Sequence, residues 1–141
     1  MNHGRLKRMI LHILRDKGPL HAYGIMKSFG EYTMNVYRPS TGALYPSLRS
    51  LLREGYIEEF IEGGRKIYRI TDKGLVAISL DPPIHEHIKR FIGRDIPIKE
   101  LWEVGEMIFR SWDSLDDEAK GRIKSLISEF HLKVKEVVEG A

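Results

Sequence analysis

The side chains best placed to do chemistry stand at the front of one stretch, STGALYPSLRSLLREG, residues 40–55. Tyr45 and Ser47 offer hydroxyl donors to an anionic oxygen, Arg49 can reach a phosphate or the edge of a guanine, and Ser40 and Thr41 stand with them as DNA-binding candidates at the leading end. Ala43 is small enough to meet a thymine methyl. Behind them Leu44, Leu48, Leu51 and Leu52 fall on one apolar stripe at helical spacing, and Gly55 closes the stretch. Gly42 and Pro46 are odd at the start of such a helix, since an interior proline costs about 3 kcal/mol. They fit a helix that meets a partner end-on. Its first N–H groups and positive dipole end would face phosphates, Gly42 would let backbone approach closely, and Pro46 lies where a missing N–H costs least. Ser40 or Thr41 would cap it. Two plainer readings stand beside this one: Pro46 as a tolerated N-terminal proline, and Tyr45 as a partly buried support.

A second group of cations lies at GGRK, residues 63–66. Arg65 and Lys66 at this turn read as phosphate contacts, or else as ordinary charges of a solvated turn. Arg38, just before residues 40–55, is a weaker candidate. His21 and Tyr23 open another helix, where packing roles are equally open. Arg5, Lys7 and Arg8 suit a solvated basic face better than a contact.

Catalytic constellations are not expected. There is no cysteine, no GxxxxGK[ST] phosphate loop and no Gly-x-Ser-x-Gly elbow. The six histidines are scattered. His85 and His87, two apart, would face different directions on a helix, so no metal site built from them with Glu86 or Asp81 is expected. Asp116, Asp117 and Glu118 sit where helix-start charges are favoured. The expectation is a protein that is no enzyme and takes no cofactor.

The elements that must hold these groups follow from periodicity. Leu6, Met9, Ile10, Ile13 and Leu14 repeat at helical spacing and stop at Gly18-Pro19. A second helix runs from Ala22 to Phe29, with Ile25, Met26 and Phe29 inward. The third is the stretch above. The period then turns strand-like: YIEEFIE, the Gly63-Gly64 turn and RKIYRIT read as a hairpin. Three helices and a hairpin make the winged helix-turn-helix order. In that order helix three can lie in a major groove while the hairpin tip reaches the neighbouring backbone or minor groove. Thr71-Asp72-Lys73-Gly74 starts a further helix, and Asp81-Pro82-Pro83 marks a boundary.

Beyond it come a stripe of Ile84, Ile88, Phe91 and Ile92, then one after Pro97 with Leu101, Val104, Ile108, Trp112 and Leu115. A last helix begins near Ser114 to Asp116. It carries Ile123, Leu126, Ile127, Phe130, Val134, Val137 and Val138, a stripe that must be covered. Twofold self-association covers it economically; packing on the first domain is the other solution. Trp102 and Trp112, ten apart on one helix, would be rotated by roughly 80°. They read as core or interface anchors, with a flat pocket for a small aromatic effector as the second reading.

Composition sets bounds. The 141 residues are 42% hydrophobic, enough for a core. No apolar run approaches the ~18 residues of a membrane span. Arg15-Asp16-Lys17 stands where a signal peptide would need small residues, so a cytoplasmic protein is expected. Net charge divides as +6 over residues 1–80 and −3 over residues 81–141. Only the front half is suited to a polyanion, and charge alone supports nucleic acid, an anionic membrane or an acidic protein equally.

These residues resemble a known family. HAYGIMKSF is similar to the second-helix signature of PadR-type transcriptional regulators, usually His-Gly-Tyr followed by an acidic or polar residue and an aliphatic one. STGALYPSLRSLLREGYIEE resembles that family's Ser-Pro-Gly-Thr-Leu-Tyr-Pro hallmark and its Leu-rich helix. GGRKIYRITDKG resembles its wing, Arg-Lys-x-Tyr-x-aliphatic-Thr-x-x-Gly. The likeness covers about residues 6–78. Ala22 replaces the usual Gly, Thr41 the usual Pro, and Ala43 stands where Thr is common. The last two lie where the family contacts DNA, so an operator sequence is not implied. The resemblance implies a C-terminal region that dimerises and in some members binds an effector, and it sets His21 and Tyr23 near the DNA backbone.

The expectation is therefore a mostly α chain with a small β-hairpin. A winged helix-turn-helix DNA-binding domain would occupy residues 1–80 and a helical dimerisation and effector region residues 81–141. Its function would be that of a dimeric repressor reading double-stranded DNA, with half-sites about 34 Å apart. The alternative is a winged-helix module that binds an acidic protein partner.

Overall fold

The computed structural model describes residues 3–140, without the side chains of His3, Phe91 and Ile92. The expected inward role of Phe91 and Ile92 therefore lies outside the described residues. Two compact units are formed, Met1–Ile98 and Lys99–Ala141.

The first unit is built on α1 (His3–Lys17), whose Leu6, Met9, Ile10 and Ile13 are fully buried. Each such side chain contributes about 1.5–3 kcal/mol by leaving water. The helix stops at Gly18, whose φ of +82° favours glycine. α2 (Ala22–Tyr32) is capped by His21, whose Nδ1 accepts from the Gly24 N–H at 2.8 Å. It runs three residues beyond the expected end at Phe29, because Thr33 rather than a breaker closes it. The Thr33 hydroxyl donates to the Phe29 carbonyl at 2.6 Å and accepts from the Tyr37 N–H at 3.0 Å.

α3 (Thr41–Arg53) buries Leu44, Leu48 and Leu51, and Ser40 caps it, its hydroxyl accepting from the Ala43 N–H at 3.2 Å. The antiparallel hairpin β1 (Ile57–Glu62) and β2 (Arg65–Ile70) pairs Ile57 with Ile70 and Glu62 with Arg65. Gly63 and Gly64 turn it with φ of +57° and +78°, as a two-residue hairpin turn requires. Backbone bonds in both directions between Leu20 and Tyr68, 3.1 and 2.8 Å, tie the hairpin to the connection before α2. Thr71 then caps α4 (Asp72–Ala77).

The first unit continues past Asp81-Pro82-Pro83. α5 (Ile84–Ile92) packs on α1, with Ile88 fully buried, so the compact unit reaches Ile98 instead of ending near residue 80. The proline pair turns the chain without releasing it.

The second unit holds α6 (Ile98–Ser111) beyond its first residue, a 3-10 turn at Trp112–Ser114 and α7 (Asp117–Gly140). Among its described residues none of α7 is buried.

Candidate nucleic-acid interface

The tip of α3 projects from the first unit. Ser40, Thr41, Gly42, Tyr45, Pro46 and Arg49 are exposed and Ala43 is half-buried, while Leu44, Leu48 and Leu51 behind them are enclosed and Leu52 is half-buried. A Cβ added at Gly42 would meet nothing of its own chain nearer than Ser40 Oγ at 3.8 Å. The missing side chain therefore serves no internal contact. Pro46 sits inside the helix in its second turn, past the first-turn positions where a missing N–H costs least, so it is not the N-terminal proline that the sequence suggests.

Ser47 is corrected. It is buried, and its hydroxyl donates to the Ala43 carbonyl at 3.0 Å, so it is not available to a phosphate. The reason is positional: Ser47 lies three residues after Leu44 and four before Leu51, on the face that packs inward.

A groove of about 780 Å³ runs beside this tip, lined among others by His21, Tyr23, Lys27, Tyr45, Arg65 and Lys66. It brings together three elements remote in sequence: the start of α2, the front of α3 and the turn end of the hairpin. Lys27, Arg65 and Lys66 line it and, among the described residues, no carboxylate does. Lys66 has one acidic neighbour, Glu59, at 3.9 Å. Arg49 and Arg65 make no ion pair among the described residues. Arg69, next along the strand, is instead held by Glu58 at 2.8 Å and lies over the Phe60 ring.

Lys27 was not singled out by the sequence. The signal was there, since it lies one helical turn after Tyr23 on α2. Arg38 is placed differently: its guanidinium lies against Gly30, where an added Cβ would come within 2.6 Å of Nε, and it does not line the groove. The basic face of α1 is engaged internally. Lys7 donates to Ser50 at 2.9 Å and pairs with Glu54, drawing that carboxyl below its ordinary range. Arg5 donates to the Arg90 carbonyl at 3.0 Å, and Arg8 holds Asp81.

In the second unit Leu126, Ile127, Phe130, Val134 and Val137 are exposed on α7 and Ile123 is half-buried. Trp102 and Trp112 do not share one helix, because α6 ends at Ser111 and Trp112 starts the 3-10 turn. Trp112 lines a hollow of about 460 Å³ with Ile108 and Phe109, and Trp102 is not among its walls. Lys120 and Lys124 lie over the Trp112 ring at 5.7 and 5.9 Å.

No helix is long and apolar enough to cross a membrane among the described residues. Residues 10–79 match the Transcriptional regulator PadR-like family. Over 75 residues the chain is 37% identical to the transcriptional regulator YqjI of Escherichia coli strain K12, covering 51% of this chain and 35% of that protein. It has the same identity and coverage with the YqjI protein of Shigella flexneri. The chain thus spans about a third of the length of these relatives. A solved transcriptional regulator from Clostridium thermocellum superposes with a TM-score of 0.52 at 28% identity, covering 64% of this chain and 91% of that one. With three helices and a hairpin in this order and this match over residues 10–79, the chain belongs to the PadR-like family of transcriptional regulators.

Proposed function

We propose that the protein is a sequence-specific double-stranded DNA-binding regulator, a repressor that acts as a homodimer in the cytoplasm. The observation that carries this reading is the carboxylate-free groove, in which Lys27, Arg65 and Lys66 flank the exposed front of α3. Phosphates neutralised there would release counterions and make binding steeply salt-dependent. Tyr23, Tyr45 and the α3 N–H groups fix the register on the backbone, while Ala43 and Arg49 read base edges. The exposed apolar face of α7 is covered by the same face of a second copy, which sets two α3 tips on successive major grooves. The hollow at Trp112 takes a small aromatic effector.

The test is fluorescence anisotropy on duplexes selected from random sequence, titrated with salt. Arg65→Ala with Lys66→Ala should weaken all sequences about equally and reduce the salt slope by about 2. Arg49→Ala should relax specificity at one position. A purified chain that shifts no duplex at low salt would leave the protein-interaction reading in its place.

A further inference from the structure

The contact between α1 and α5 contains a polar cluster that DNA binding does not use. His12 of α1 is fully buried, His87 of α5 is 7% exposed, and Asp81 lies in the connection that precedes α5. His12 Nε2 is 2.8 Å from Asp81 Oδ2, and the two imidazoles face each other with centroids 4.5 Å apart. One ligating atom from each of the three residues lies within 4.8 Å of the others. The second observation concerns what is left over. His12 Nδ1 and His87 Nε2 are both buried with no hydrogen-bond partner among the described residues. Buried polar atoms are ordinarily partnered, and two orphans in one cluster ask for a ligand.

The donor set defines that ligand. Two neutral imidazoles and one carboxylate form an open three-residue set of the kind that holds borderline divalent ions and leaves a position for water. Arg8 also holds the Asp81 carboxylate, donating from Nε to Oδ2, the oxygen that His12 meets, at 2.9 Å and from Nη2 to Oδ1 at 2.6 Å, and it donates to the Ala77 carbonyl at 2.8 Å. That contact orients the carboxylate as an outer-shell partner does, and its positive charge limits the affinity. His85, the histidine nearest in sequence to His87, takes no part in the cluster.

We propose that His12, Asp81 and His87 form a site for one divalent transition-metal ion of the zinc or nickel type, which fastens α5 to α1. The ion must bring the three donors closer than 4.8 Å, and because they are assembled only in the folded chain, binding raises the melting temperature of the first unit.

The full-length chain, stripped of metal, is titrated calorimetrically with zinc chloride and with nickel chloride, and its melting is followed with and without each. The expected result is one equivalent bound per chain and a higher Tm. His87→Ala should weaken binding by at least about tenfold and abolish the Tm shift, while His85→Ala leaves both unchanged. Cobalt(II) gives a readout that needs no variant: the parent chain should develop the intense visible ligand-field bands of a four-coordinate centre, lost on adding one equivalent of zinc. The proposal is overturned if neither zinc nor nickel binds, if the Tm shift persists undiminished in His87→Ala, or if cobalt gives only weak six-coordinate absorption.

Discussion

Phe29 and Phe130 are the same residue in the same kind of element, yet one is wholly enclosed and the other is 54% exposed. Leu48 and Leu126 repeat the contrast at 1% and 62%. In the first unit the central stripes face one another within the same chain: α1 against α2, α3 and α5, and the hairpin against α1 and α3. In the second unit α7 carries a stripe of similar length and leaves it in the open. The lesson is that periodicity reports which face of a helix wants cover, while only the supply of partners decides whether one chain can provide it. A unit that covers its own stripes and a helix that leaves its stripe in the open are different outcomes of the same requirement.

This contrast can be broken by substitution. Phe29→Ala should destabilise the first unit by about 3–5 kcal/mol, the usual cost of emptying a large core site, measured by urea unfolding of the full chain. Phe130→Asp should leave that transition in place and act on association, weakening the dimer by about a hundredfold, equivalent to nearly 3 kcal/mol. Sedimentation across a concentration series reads it. Equal loss of first-unit stability from both substitutions would erase the distinction between the two regions.

Acid should act on the first unit next. Burial foremost pushes the His87 imidazole down from 6.5 to about 4, and His12 is lowered for the same reason. Unfolding releases both to the ordinary value, so the unfolded chain binds more protons between those limits. Stability in metal-free buffer should therefore fall as pH drops from about 6.5 towards 4. Asp81, held at about 2 against burial by Arg8 and His12, extends the loss below pH 3.8. Thermal melts over that range check the sign, and a Tm that rises on acidification would refute it. The smallest effect concerns two serines. Ser40→Ala should cost about 1 kcal/mol through the lost cap, whereas Ser47→Ala should leave DNA affinity unchanged.

The winged-helix order was legible because its elements are short, strongly periodic and joined by local punctuation: Gly18-Pro19, Gly63-Gly64 and Thr71 as a cap. The exposed cap-and-tip of α3 was legible for the same reason. Ser47 misled because its hydroxyl chemistry outweighed its position, although the spacing to Leu44 and Leu51 already turned it inward. The pairing of His12 with Asp81 joins residues 69 apart and has no local signature. The docking of α5 was hidden by a proline pair that marks a change of direction and says nothing about where the next apolar face lands. Trp112 left the helix of Trp102 because the chain tightens at Ser111, a departure too small for periodicity to register.

Two glycines that look alike in the sequence carry opposite obligations. At Gly74 an added Cβ would fall 2.2 Å from the Tyr56 carbonyl oxygen, so α4 and the foot of the hairpin can meet only around a bare backbone. At Gly42 the chain itself asks for nothing. A population of variants sorted for folding alone would hold residue 74 fixed and let residue 42 wander; sorted for operator occupancy, it would be narrowed at both.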